Sequence, residues 1–198
     1  MPLQDASNKV TSVLLAGVGG QGTILAADLL AKVATASGLD VKLSEVHGMA
    51  QRGGAVTTAV RFGSDVASMV IGPGMADCLL SFETTEALRN LPFVKEGGMV
   101  LVNDESIKPL PVATGKASMP AHAHERLQEA GARLVPATQL ATEAGSPRCA
   151  NVVLLGALST ALSFDEQIWL DQVAAKVPPK TIDMNLKAFA LGRESVLN

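Results

Sequence analysis

Two kinds of apolar pattern alternate along this chain. Val13-Leu14-Leu15-Ala16 is a short unbroken run that stops on Gly17-Val18-Gly19-Gly20-Gln21-Gly22; beyond it, Leu25, Leu29, Leu30 and Val33 recur at three- and four-residue steps. The unbroken run predicts a strand buried on both faces, and the stepped run predicts a helix with one buried side. We therefore expect a strand over 11–17 and a helix over 21–37, which Ser37-Gly38 ends with a left-handed glycine cap. Val41-Lys42-Leu43-Ser44-Glu45-Val46 alternates as a second strand does, which completes a β–α–β unit with a right-handed crossover.

The next stretches continue the pattern. Ala55 to Phe62 is β-branched and alternating, which suits an antiparallel strand at a sheet edge, and Met69-Val70-Ile71 suits a short return before the breaker Gly72-Pro73-Gly74. Cys78–Phe82 and Met99–Asn103 are further buried strands, with a helix near 85–91 between them capped by Thr84 or Thr85. Glu83, at the end of its strand, either faces a crevice there or serves the helix start. Residues 104–119 carry several breakers and predict a loop; a helix over 121–130 and a strand over 133–136 follow. From 137 the chain is helical: Asn151–Leu158 is apolar all round, Asp165 caps a helix to about Ala175, and Thr181 opens a closing helix that ends before Gly192. The expected architecture is α/β, a Rossmann-like three-layer fold with a mostly parallel central sheet and helices on both faces. Residues 1–198 form one domain, without a repeat or separating linker.

Composition narrows the function classes. A chain of 198 residues, 47% of them hydrophobic, can bury roughly 70% of its unfolded surface in one core. A net charge of −3, no basic run and 3% aromatic residues leave nucleic-acid binding without phosphate-neutralising or stacking groups. No apolar run reaches membrane-spanning length and no signal peptide precedes the first strand, so no membrane partner is expected and a cytoplasmic location is. Cys78 and Cys149 are too few and too far apart to hold an iron–sulfur cluster, and His122 and His124, two residues apart, point to different helix faces, so no metal site is expected. With 18% charged residues, one Trp and no Tyr, the surface should be apolar enough to offer a large partner interface.

The chemistry concentrates in two glycine-rich loops. Gly17, Gly19 and Gly22 fit G-x-G-x-x-G, a turn that brings a backbone close to a phosphate beneath a helix N-terminus. A purely structural turn fits the same glycines equally well; Gly20 and the polar amide of Gln21 favour a functional loop. Glu45, about 20 residues past the loop, stands where a dinucleotide domain carries its ribose-binding acid. Glu45, His47, Gln51, Arg52, Gly53 and Gly54 then place a carboxylate, an imidazole, an amide and a guanidinium in one short stretch. Parallel strands send both loops to the same carboxyl edge, where they should face each other across a crevice. Arg52 suits an anion because its planar fork donates two hydrogen bonds at once. No phosphate loop, nucleophile elbow or acid–base pair can be assembled, so no catalytic residue is assigned.

Gly17–Gly22 together with Ser44-Glu45-Val46-His47-Gly48-Met49-Ala50-Gln51-Arg52-Gly53-Gly54 resembles the gamma module of 2-oxoacid:ferredoxin oxidoreductases, most closely the small subunit of the indolepyruvate-type enzymes. Ala76-Asp77, Asn151–Gly156 and Asn185-Leu186-Lys187-Ala188-Phe189 extend the resemblance over nearly the whole chain. It implies a subunit of an enzyme that decarboxylates a 2-oxoacid oxidatively, passes the acyl group to coenzyme A and sends electrons to ferredoxin. It further implies that thiamine diphosphate and the iron–sulfur clusters sit in a large partner subunit, that this chain is inactive alone, and that both loops hold an anionic ligand or dock the partner. A dinucleotide-binding module and a purely docking subunit are the rival readings, and a homodimer is among the states open to the isolated chain.

Overall fold

The computed structural model describes residues 10–47 and 54–197. The first strand, β1 (Thr11–Val18), is buried throughout, and helix α1 (Thr23–Ala36) lays Ala26, Ala27, Leu29, Leu30, Val33 and Ala34 against the sheet. The helix stops as its sequence predicts: Gly38 has φ +81°, and its N–H and that of Leu39 donate back to Thr35 and Ala34 carbonyls. Next come β2 (Asp40–His47) and β3 (Ala55–Gly63), followed by β4 (Ala76–Ser81) and α2 (Thr84–Asn90). Strand β5 (Val94–Asn103), the short helix α3 (Leu110–Ala113), α4 (Ala123–Glu129) and β6 (Arg133–Val135) lead to the C-terminal helices. These are α5 (Ala137–Ala144), α6 (Ala150–Ser159), α7 (Glu166–Lys176) and α8 (Ile182–Leu197).

The six strands lie in the order β2-β3-β1-β4-β5-β6. Pairings β1–β4, β4–β5 and β5–β6 are parallel, whereas β3 is antiparallel to both β1 and β2, so five strands run one way and β3 alone runs against them. The mostly parallel, two-faced α/β sheet expected from the sequence is therefore present. Its order differs from expectation in one place: β3 lies inside the sheet, between β1 and β2, instead of at an edge. A full eight-pair register joins β2 to β3, from Asp40↔Gly63 to His47↔Val56. A hairpin partner is closed by a short loop and forms locally, so it takes the slot beside β1 that a β–α–β unit would have given to β2.

Helices α1 and α5–α8 cover one face of the sheet over a core that includes Val13, Leu15, Leu80, Leu154, Trp169 and Phe189. On the other face α2 and α4 cover a smaller core around Leu14, Leu79, Val100 and Leu127. Helix α6 is buried from Asn151 to Ser159, as its all-round apolar sequence predicts. The closing helix α8 runs through Gly192 instead of stopping there. A Cβ on Gly192 would lie 1.9 Å from the Val153 carbonyl oxygen, and one on Gly156 would lie 2.1 Å from that of Phe189. These glycines let two helix backbones touch, so Gly192 serves packing and not a cap. Three smaller differences remain: 69–71 forms no strand, Glu83 rather than a threonine caps α2 through the Glu86 N–H, and 110–113 is helical within the expected loop.

Candidate functional site

The first loop folds over the end of its own strand. Gln21 Oε1 accepts the Val18 N–H at 2.9 Å, and Gln21 Nε2 donates to the Phe82 carbonyl at 2.9 Å. The amide thus closes the turn and ties it to the end of β4. Gly17 makes room for this brace: a Cβ there would lie 2.9 Å from both Gln21 Oε1 and Phe82 Cβ. Gly22 has φ +80° and sits so close to Asn151 that a Cβ would come within 2.6 Å of its Nδ2. Packing therefore accounts for Gly17, Gly22 and the amide at the apex, while Gly20 and Gly22 also present backbone to the open side of the loop.

The second loop meets the first directly. The Gly19 N–H donates to the Gly54 carbonyl at 2.9 Å, so the β2–β3 connection arrives at the same rim as the β1 turn. His47 closes β2 opposite Val56, and Gln51, Arg52 and Gly53 lie outside the described residues. Glu45 is exposed on β2, paired with Thr58, which in turn pairs with Leu15 of β1. Two strand spacings separate it from β1, about 10 Å. The ribose geometry expected for Glu45 assumed β2 beside β1; the insertion of β3 removes it. Gly54, directly before β3, abuts the first loop, while the rest of the second loop, on which the expectation of two loops facing across a crevice depends, lies outside the described residues.

The crevice opens on the other flank of the first loop, between β1 and β4, where one connection leaves over each face of the sheet. In wound sheets this switch point is where ligands bind. A groove of about 500 Å³ lies there, between Gly20–Gly22, Phe82, the end of β5 and the starts of α5 and α6. Its polar wall is built around Asn103, which is buried. Asn103 Oδ1 accepts the Ala137 N–H at 3.1 Å, and its Nδ2 lies 3.0 Å from Glu105 Oε2, 3.2 Å from Thr138 Oγ1 and 3.3 Å from the Phe82 carbonyl. Thr138 Oγ1 donates to Glu105 Oε2 at 2.8 Å, and the Thr84 N–H holds the Glu105 backbone carbonyl at 2.9 Å. The Phe82 carbonyl is thus shared by Gln21 and Asn103, and one hydrogen-bonded chain joins the ends of β1, β4 and β5 to α5. Arg148 stands exposed on the opposite wall, just before α6.

Asn103, Glu105, Thr138 and Arg148 were not among the sequence candidates. The available signal was position: Asn103-Asp104-Glu105 directly follows a buried parallel strand, which a wound sheet always delivers to the ligand edge. Burial holds the Glu86 carboxyl above its usual value against the pull of Arg89 at 3.5 Å, and burial pushes the Cys78 thiol up to about 12. Among the described residues no three His, Cys, Asp or Glu side chains converge as metal ligands.

A wound domain with a braced glycine turn and a groove at its switch point has the geometry of a ligand-binding module. The chain belongs to the pyruvate ferredoxin/flavodoxin oxidoreductase family, whose model matches residues 12–195. It is similar to the indolepyruvate oxidoreductase subunit IorB of Thermococcus kodakarensis, with 43% identity over 93% of this chain and 95% of that one. Among solved structures it resembles the keto/oxoacid ferredoxin oxidoreductase gamma subunit of Geobacter sulfurreducens, at 25% identity and a TM-score of 0.70 over 94% of this chain and 98% of that one. Its fold also matches the 2-oxoglutarate:ferredoxin oxidoreductase of Magnetococcus marinus (23% identity, TM-score 0.74), whose structure holds 2-oxoglutarate, coenzyme A and succinyl-CoA. There this chain covers 96% of itself but 31% of the neighbour, so the domain is one part of a longer polypeptide.

Proposed function

We propose that this chain is the small, gamma-type subunit of a cytoplasmic 2-oxoacid:ferredoxin oxidoreductase, with an aryl pyruvate such as indolepyruvate as the substrate class. The near full-length likeness to an indolepyruvate oxidoreductase subunit carries this reading. The large partner supplies thiamine diphosphate and the iron–sulfur clusters, performs the oxidative decarboxylation and delivers electrons to ferredoxin. With two cysteines, this chain could not ligate such a cluster by itself.

The contribution of the small subunit is the rim. The Gly19–Gly54 hydrogen bond gathers both glycine loops at one edge of the sheet, next to the groove. In the assembled enzyme, Gly17, Gly19, Gly20, Gln21 and Gly22 shape the first contact surface, and Glu45, His47, Gln51, Arg52, Gly53 and Gly54 shape the second. Arg52 meets an anionic group of the co-substrate or the partner, and coenzyme A reaches the thiamine centre along this edge. Co-expression with the large subunit tests this assignment. The chain should co-purify with it and be required for 2-oxoacid- and coenzyme-A-dependent dye reduction, and Arg52→Ala should lower that rate about tenfold through loss of one charge-assisted contact. Failure to co-purify, or full activity of the large subunit alone, refutes the assignment; unchanged assembly and rate in Arg52→Ala removes the second loop from it.

A further inference from the structure

The two edges of the sheet are built differently. At one side β6 is three residues long, and its Arg133 Nη1 donates to the Val196 carbonyl at the end of α8, so this edge is short and guarded. At the other side β2 is eight residues long and is paired on its inner side only; no strand among the described residues lies beyond it. Its register with β3 runs from Asp40↔Gly63 to His47↔Val56 without a bulge, and it contains no proline. Such an edge leaves a row of backbone N–H and C=O groups for another strand to pair with. The flank beside it is apolar as well: Val46 (69% exposed), Met69 (47%) and Val70 (66%) line one groove over β2 and β3.

We propose that β2 pairs antiparallel with the β2 of a second copy of this chain, on a two-fold axis through Ser44, so that the two six-stranded sheets become one. An axis normal to an antiparallel pair sets one residue opposite its own copy, and the charges along β2 decide which. Lys42 or Glu45 on the axis would oppose a like charge, which is unfavourable. Leu43 on the axis would set the Asp40 carboxylate, already held by the Val66 N–H at 2.9 Å and by Lys42 at 3.6 Å, against the apolar Val46 of the second copy. Ser44 on the axis avoids both. A small hydroxyl then meets its own copy, Leu43 meets Glu45, and the alkyl stem of each Lys42 lies over Val46 of the other chain with its ammonium in water. The most exposed apolar side chain of the strand is thereby covered in both copies. The proposal concerns self-association of the chain and does not depend on the subunit assignment.

Sedimentation velocity of the full chain from about 1 to 500 µM tests it. One strand pair buries less than a standard interface, so a dimer with a dissociation constant in the micromolar range is expected. Val46→Lys, at an exposed position, puts two Lys–Lys contacts into each dimer and should weaken it about tenfold; adding Lys42→Glu turns both into Lys–Glu contacts and should restore it. Cys78 and Cys149 are buried, so Ser44→Cys supplies the accessible thiol. A short thiol-to-thiol cross-linker should join two copies of the Ser44→Cys variant and should not join Glu129→Cys, which is exposed on α4. Circular dichroism checks that each variant is folded. A chain that stays monomeric throughout this range, a dimer indifferent to Val46→Lys, no rescue by Lys42→Glu, or no cross-link through residue 44 overturns the proposal. Assembly with the large subunit is read separately by co-purification, so the two readings fail independently.

Discussion

Gln21 provides the sharpest test of how the first loop works. Its side chain accepts the Val18 N–H and donates to the Phe82 carbonyl, both at 2.9 Å. In Gln21→Ala the Phe82 carbonyl keeps Asn103 as a donor at 3.3 Å, so one group, the Val18 N–H, is stranded in a mostly buried position. An unsatisfied buried donor costs about 1–3 kcal/mol. For a domain of this size, about 2 kcal/mol lowers the melting temperature by roughly 4–8 °C. Gln21→Glu separates the two bonds: a carboxylate still accepts from Val18 but sets a charged oxygen against the Phe82 carbonyl, so it should melt no higher than the alanine variant at neutral pH and recover below about pH 4 as it protonates. Differential scanning calorimetry at pH 7 and pH 4 reads both effects. If Gln21→Ala melts with the wild type, the amide is not a brace, and the account of the turn given by Gly17 and Gln21 is wrong.

Other expectations follow from the same coordinates. Gly192→Ala would gain about 1 kcal/mol of helix propensity, but its Cβ would fall 1.9 Å from the Val153 carbonyl; the α6–α8 contact must open, and a net loss of about 2 kcal/mol or more should appear as a lower urea midpoint, whereas a rise would deny the close crossing. Glu86 has its folded-state pKa raised by burial, so the folded chain binds the proton more tightly than the unfolded one, and stability falls as pH rises above the ordinary value of 4.5. Glu86→Gln should therefore raise the melting temperature at pH 7 and have little effect at pH 4; the reverse order would show that burial does not disfavour the charged carboxylate. Cys78 is fully buried with its thiol pushed up to about 12, and burial also raises the Cys149 thiol, so neither should react with iodoacetamide at pH 8 until denaturant is added; rapid labelling of Cys78 in the native chain would show that β4 is open.

Local pattern determined most of the elements. The unbroken run at Val13–Ala16 could only be a strand covered on both faces, and the steps at Leu25, Leu29, Leu30 and Val33 could only be a one-sided helix, because each periodicity matches one backbone geometry. The motif Gly17–Gly22 likewise marked the turn, since Gly22 has a positive φ that side chains resist. Sequence spacing could not decide which strand lies beside β1. That depended on competition between a crossover and a hairpin, settled by the full pairing of β2 with β3, and it moved Glu45 two strands from the place its spacing suggested. The groove was hidden for the same reason. Gly22, Asn103, Glu105, Thr138 and Asn151 lie scattered along the chain and meet only because parallel strands deliver their ends to one edge, at a switch point that exists once the sheet is assembled. The residue types were legible one by one; their neighbours were a property of the tertiary fold.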